Sequence, residues 1–141
     1  MNIRKAERKD ALSISQLMDQ LGYGASTELI ESKLHEFSKN SHDEVFVAQK
    51  NDVVVGCISC HITSLFHQKG SSGRITSLVI DQNFRGGGIG KLLVQEAENF
   101  FHAKGCIKSE VTSGDHRTEA HSFYESCGYK KDERRFIKIY S

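Results

Sequence analysis

Apolar residues recur along this chain at two spacings, and the change from one to the other sets out its elements. Residues about 2 to 6 read as a strand. Asp10 is then placed to cap a helix with Ala11, Leu12, Ile14, Leu17, Met18 and Leu21 at helical spacing, ended by Gly22-Tyr23-Gly24. Ser26 or Thr27 caps a second amphipathic helix carrying Leu29, Ile30, Leu34 and Phe37, which gives way to a polar turn at Asn40-Ser41-His42. Residues 44 to 49, the Asn51-Asp52 turn and residues 53 to 62 form an antiparallel hairpin pattern. A loose stretch, 66 to 73, precedes a strand at 75 to 80 that feeds a glycine cluster. Ile89, Leu92, Leu93, Ala97, Phe100 and Phe101 then trace a helical face up to Gly105, and a strand at 106 to 112 follows. A short helix from about Thr118 bears Ala120, Phe123, Tyr124 and Cys127 and closes at Gly128, and Tyr129 to Tyr140 supplies terminal strand material. The order β-α-α-β-β-β-α-β-α-β predicts a mixed α/β fold with a strand-helix-strand unit in its middle. With no internal repeat, linker or low-complexity segment, residues 1–141 are expected to form one domain.

Charge narrows the partners. Lys and Arg number 19 against 18 Asp and Glu, so no long-range field draws in a polyanion, and neither nucleic acid nor an anionic membrane is expected as a main partner. No apolar run approaches the roughly 20 residues a bilayer crossing needs, and the N-terminus lacks a signal-peptide core, so a cytoplasmic location is expected. A homodimer stays open. Of the four cysteines, Cys57 and Cys60 form a C-x-x-C, but inside an apolar run that reads as a strand. They are expected as reduced, buried small hydrophobes, with no bound metal.

The chemistry concentrates at Arg85-Gly86-Gly87-Gly88-Ile89-Gly90, between a strand and a helix. The first N–H groups of a helix have no intrahelical partner and the macrodipole is positive there, so such a place binds anions. Glycines let the backbone turn its amides toward phosphate oxygens with no Cβ in the way. A simple chain-reversing turn would need only one or two of them. A P-loop is excluded because Gly90-Lys91 is followed by Leu92 and position 85 is Arg. A dinucleotide fingerprint is excluded because the required third glycine falls on Lys91 or Leu93.

Arg85, Gly88 and Gly90 instead match the Q/R-x-x-G-x-G/A pattern of the GNAT superfamily of N-acetyltransferases, after Leu78-Val79-Ile80-Asp81 where that family has its cofactor strand. About 30 residues on, Ala120-His121-Ser122-Phe123-Tyr124-Glu125-Ser126-Cys127-Gly128-Tyr129 resembles the family's A-x-x-F-Y-x-x-x-G-F/Y segment. The whole chain resembles this family. The resemblance implies a GNAT-like fold: a central, mostly antiparallel sheet flanked by helices, in which the parallel strands 75 to 80 and 106 to 112 splay apart. It implies acetyl-CoA as cosubstrate, its pantetheine arm bonded by main-chain groups of Leu78, Val79 and Ile80. The pyrophosphate would be cupped by amides of Arg85, Gly86, Gly87, Gly88, Ile89, Gly90 and Lys91.

An amine attacking a thioester must lose a proton, and the departing sulfur must be stabilised or protonated. Carried over from the family, Tyr124 would donate to the sulfur, although its place on a helical stripe fits a packed core ring as well. The strand offers no carboxylate, so the general base is unassigned. A water chain held by Ser77 or Thr112 would serve, and His61, His67, His116 and His121 qualify only by type. Where relatives carry Asn near the cofactor this chain has Arg117, which leaves a cofactor contact there open. The acceptor would be an amine of a small molecule or protein, walled by Gly22-Tyr23-Gly24, residues 64 to 73 and the last hairpin. A non-catalytic acyl-CoA sensor would keep the glycine cluster but would not need Tyr124.

Overall fold

The computed structural model describes residues 1–112, 118–132 and 134–140; His116 and Arg117, raised above, lie outside them. Its elements are β1 (Asn2–Lys5), α1 (Ala11–Leu21), α2 (Thr27–Ser38), β2 (Asp43–Lys50), β3 (Val53–Ser64), β4 (Ser71–Ile80), α3 (Ile89–Ala103), β5 (Cys106–Val111) and α4 (Thr118–Ser126). The strands lie in the order β1-β2-β3-β4-β5, antiparallel until the last pair, which is parallel and joined through α3. This is the mixed, mostly antiparallel sheet that the resemblance implies.

Side-chain alternation along the strands builds a core on each face of the sheet. Phe46, Val55, Ile58, Cys60 and Ile75 meet Leu93, Val94, Ala97 and Phe101 of α3. On the other face Val45, Val47, Cys57 and Val79 meet Ile14, Leu17 and Met18 of α1, with Ile30, Leu34 and Phe37 of α2 packed around them. Cys57 and Cys60 fall on opposite faces as free, buried thiols. The tight hairpin turn places Asn51 and Asp52 at φ 49° and 66°, a left-handed pair that twists with the strands it joins. Ser26 caps α2, accepting from the Leu29 N–H at 3.1 Å.

Several expectations are corrected. Asp10 does not cap α1: its carboxylate is gripped by Arg4 through two hydrogen bonds of 2.8 and 2.9 Å and accepts from the Glu7 N–H at 2.7 Å. A buried ion pair ties β1 to the start of α1 instead. Leu12, Leu29 and Leu92 project to solvent, and Val94 takes the core position on α3, because the buried stripes are narrower than the runs of apolar residues. β4 begins at Ser71, inside the stretch expected to be loose. The expected terminal strand is absent among the described residues from Tyr129 to Tyr140, where Phe136, Ile137, Ile139 and Tyr140 are exposed. Strand propensity alone forms no strand without a ladder partner.

Candidate active site

The site starts from one surplus residue in β4. Ser59 pairs with Ser77 and Cys60 with Ile75, so Thr76 has no cross-strand partner on β3, and a β-bulge results. Ile75 and Leu78, three apart, therefore both pack toward α3, while Val79 packs toward α1. A bulge bends and twists its strand. The parallel ladder to β5 ends at the same point: Ile75 pairs with Val111, and the Thr112 N–H donates to the Ile75 carbonyl at 3.4 Å. Among the described residues, β4 carries no pairing to β5 from Thr76 to Ile80. This stretch of edge, closed at one end by the Ile75–Val111 pair and running toward the glycine cluster, is the slot in which the resemblance puts the pantetheine arm.

At that open end the chain turns through Gln82–Phe84 into α3, whose N-cap is Gly88. Gly86 and Gly88 have φ of 86° and 82°, a region that L side chains rarely adopt, and neither has a foreign atom within 4 Å of where a Cβ would stand. These two glycines serve backbone conformation and leave the space above the helix start open. No side chain caps the helix, whose first backbone bond runs from the Leu92 N–H to the Gly88 carbonyl. The preceding amides are thus available to an anion. Ile89 is buried and offers only its main chain, whereas Lys91 is exposed. Gly90 has a second duty, since a Cβ there would stand 3.0 Å from the Phe123 ring of α4. Arg85 turns back, its Nε donating to the Ile80 carbonyl at 3.2 Å, so it fastens the loop to the end of β4. Gln20 of α1 adds another tie, donating to Asp81 at 3.0 Å and accepting from the Gln82 N–H at 2.9 Å. Open amides, positive-φ glycines and flanking cations suit the pyrophosphate of acetyl-CoA.

Two tyrosines lie near the closed end of the slot. Tyr129 donates its hydroxyl to Glu98 at 2.8 Å, and burial together with the Glu98 carboxylate pushes its pKa upward. Its proton is committed. Tyr124, half-buried on α4, stands edge-on to Phe123 and Tyr129 at ring distances of 5.3 and 6.2 Å. A cavity of about 1140 Å³ runs between β5, α4 and the terminal segment, with Arg74, Val111, Thr112, His121 and Tyr124 among its lining. It meets the slot at its closed end and does not extend over the glycine loop, which is a surface cradle.

Sequence reading missed a polar row across the sheet. Asp43, His61, Arg74 and Glu110 are successive cross-strand partners on β2, β3, β4 and β5, and such partners share a face. His61 bonds the Asp43 carboxylate through Nδ1 and the Thr76 hydroxyl through Nε2, both at 2.8 Å, and Thr76 meets the Ser59 hydroxyl at 2.7 Å. Arg74 donates from Nε to the Thr112 hydroxyl at 3.0 Å. The available signal was the parity of polar residues in strands that also carry buried ones, and pairing it needs the register. Of the other expected residues, Ser77 is half-buried at the bulge and His67 is exposed in the β3–β4 loop. No group of three or more His, Cys, Asp or Glu among the described residues has a metal-holding arrangement.

This fold and cleft define an acyl-transfer scaffold, and the chain belongs to the acetyltransferase (GNAT) family, whose model matches residues 12–129. It is an acyl-CoA-dependent N-acetyltransferase with acetyl-CoA as cosubstrate. It is 33% identical over 128 residues to an aminoalkylphosphonate N-acetyltransferase of Salmonella typhimurium, covering 91% of this chain and 80% of that one. It is 32% identical over 93 residues to a glucosamine 6-phosphate N-acetyltransferase of Trypanosoma brucei brucei, covering 65% of this chain and 61% of that one. The solved glucosamine-6-phosphate N-acetyltransferase of Arabidopsis thaliana superimposes with a TM-score of 0.84 at 26% identity, over 99% of this chain and 98% of the other. An aminoglycoside N-acetyltransferase in complex with CoA shares the fold, with a TM-score of 0.87 at 18% identity, over 99% and 93% of the two chains.

Proposed function

We propose that this chain transfers acetyl directly from acetyl-CoA to the primary amine of a small molecule that also carries a phosphonate or phosphate. The observation that carries the direct transfer is the meeting of the slot's closed end with the cavity that Tyr124 lines. Leu78, Val79 and Ile80 would hold the pantetheine arm by main-chain bonds, and the amides from Arg85 to Lys91 would hold the pyrophosphate. The thioester supplies the activated acetyl carbon. Tyr124 gives its phenolic proton to the departing sulfur and is restored by the proton that the newly acylated nitrogen sheds. An acceptor with an anionic end is supported by the names of the two relatives, and by Arg74, an exposed cation on the cavity wall.

The test is thiol release from acetyl-CoA with 2-aminoethylphosphonate, glucosamine 6-phosphate, spermidine and an aminoglycoside. Turnover confined to the first two supports the acceptor class, and turnover confined to the last two refutes it. With the best acceptor, Tyr124→Phe should lower kcat by about 10²- to 10⁴-fold, roughly 3 to 5 kcal/mol of barrier, at unchanged acetyl-CoA affinity. A loss below about fivefold where chemistry limits turnover would leave Tyr124 a packing residue.

A further inference from the structure

The transferase reading leaves one proton without a destination. An alkylamine arrives as an ammonium ion and must be deprotonated before its nitrogen can attack, and residues 75 to 80 of β4 carry no carboxylate. We propose that Asp43, His61 and Thr76 form a proton relay in which the Thr76 hydroxyl contacts the acceptor amine, His61 takes up the proton and Asp43 orients His61. The proposal rests on the acetyltransferase reading above and assigns the base which that reading lacks.

Three observations support it. First, the direction of the chain of hydrogen bonds is set at its inner end. A carboxylate only accepts, so the 2.8 Å contact from His61 to Asp43 places the ring proton on Nδ1. Nε2 then has its lone pair toward Thr76, 2.8 Å away, and accepts the hydroxyl proton. Second, the pair is anchored. Asn40 donates to the second carboxylate oxygen of Asp43 at 3.0 Å and accepts from the Asp43 N–H at 2.9 Å, while the Phe37 ring of α2 stands edge-on to His61 at 5.5 Å. His61 has little freedom to turn away, yet its side chain keeps 26% of its exposure, so protons can exchange with water. Third, Thr76 is the bulged residue, exposed and next to Ile75, the last β4 residue paired with β5 among the described residues. The surplus residue thus brings the outer end of the relay beside the closed end of the slot.

The protons balance. The ammonium passes one proton to the Thr76 oxygen as Thr76 passes its own to His61 Nε2, leaving a neutral amine and an imidazolium beside the Asp43 carboxylate. The amine nitrogen bonds the acetyl carbon, the carbon–sulfur bond breaks, and Tyr124 protonates the sulfur and recovers the second nitrogen proton. His61 then releases its proton to water. The transferred hydrogens are those of the acceptor, and no oxidant or further reactant is needed.

The experiment separates a base from a structural histidine through the acceptor. His61→Gln and Thr76→Val are assayed with 2-aminoethylphosphonate, a protonated alkylamine, and with hydroxylamine, largely unprotonated at neutral pH. We expect kcat/KM for the alkylamine to fall by about 10²-fold or more, with hydroxylamine changed by less than about threefold. Acetyl-CoA affinity should be unchanged, and Thr76→Ser should restore activity. Equal losses with both amines, or no loss with the alkylamine, would overturn the relay. Nitrogen-15 NMR of histidine-labelled wild type gives an answer that does not depend on turnover: Nδ1-protonated His61 is expected, and an Nε2-protonated ring would overturn the relay. A wild type that released no thiol with either amine would overturn the transferase reading itself, whatever the tautomer.

Discussion

Gly88→Val isolates the phosphate cradle, because the structure separates its two costs. At φ 82°, with no foreign atom within 4 Å of where its Cβ would stand, the valine meets no steric wall, so the stability loss is conformational. Holding an L residue in the left-handed region costs roughly 1 to 2 kcal/mol, and a β-branched residue falls at the upper end. For a domain of this size that corresponds to a fall in Tm of about 3 to 8 °C, which leaves the protein folded at room temperature. Relaxing the strain would rotate the peptide that leads into α3 and turn its N–H away from the anion. A hydrogen bond to a charged group contributes about 1.5 to 3 kcal/mol, so each one lost weakens acetyl-CoA binding by about 10- to 100-fold. Gly87→Ala is the matched control, since Gly87 lacks a positive φ and its nearest contact, the Phe84 carbonyl, is at an ordinary 3.7 Å. Calorimetric titration with acetyl-CoA and thermal melts of both variants decide the matter. A folded Gly88→Val protein with wild-type affinity would show that the pyrophosphate does not sit at this helix start.

Arg4→Met should cost about 3 to 5 kcal/mol in urea unfolding, because it leaves the Asp10 carboxylate, 4% exposed, without its partner. Burial by itself would raise the Asp10 pKa, but the Arg4 bonds and the Glu7 N–H outweigh it and hold the group below the usual carboxylate range. A depressed folded pKa means that this contribution is complete above the unfolded value of about 4 and fades as pH falls through the lower folded value; a wild-type acid profile no steeper than that of Asp10→Asn would refute it. Burial pushes the Cys57 thiol up to about 12 and Cys60 higher still, so both should resist a thiol reagent in the native state and react on unfolding; rapid native labelling of either would contradict the buried sheet. Tyr129→Phe should cost about 1 kcal/mol of stability, from the lost Glu98 bond, with little change in kcat, opposite in pattern to Tyr124→Phe.

The glycine cluster and the Phe123-Tyr124 segment were legible because each is local: a few consecutive residues carry the backbone freedom or the helix face. The two helices on one sheet face were legible for the same reason, since Ile14, Leu17 and Met18 recur at the helical period. The Asp43, His61 and Thr76 cluster was not, because its members come from three strands and meet only through a register that includes a bulge. Asp10 reads as a cap because a polar residue before an apolar stripe looks the same whether it bonds an N–H of the helix or an arginine six residues away. The terminal segment reads as a strand for a related reason: alternation reports propensity, and pairing depends on an edge elsewhere in the chain.

Among the described residues, the β4 edge from Thr76 to Ile80 lacks the parallel ladder that the preceding residues have. On the proposed binding mode, an extended arm lying there restores that ladder only in the folded state. Acetyl-CoA then becomes a folding ligand as well as a reactant: at a hundred times its Kd it adds about 2.7 kcal/mol to the unfolding free energy. Cells depleted of the thioester would hold this enzyme in its least stable form, and its abundance would follow the supply of its own cosubstrate.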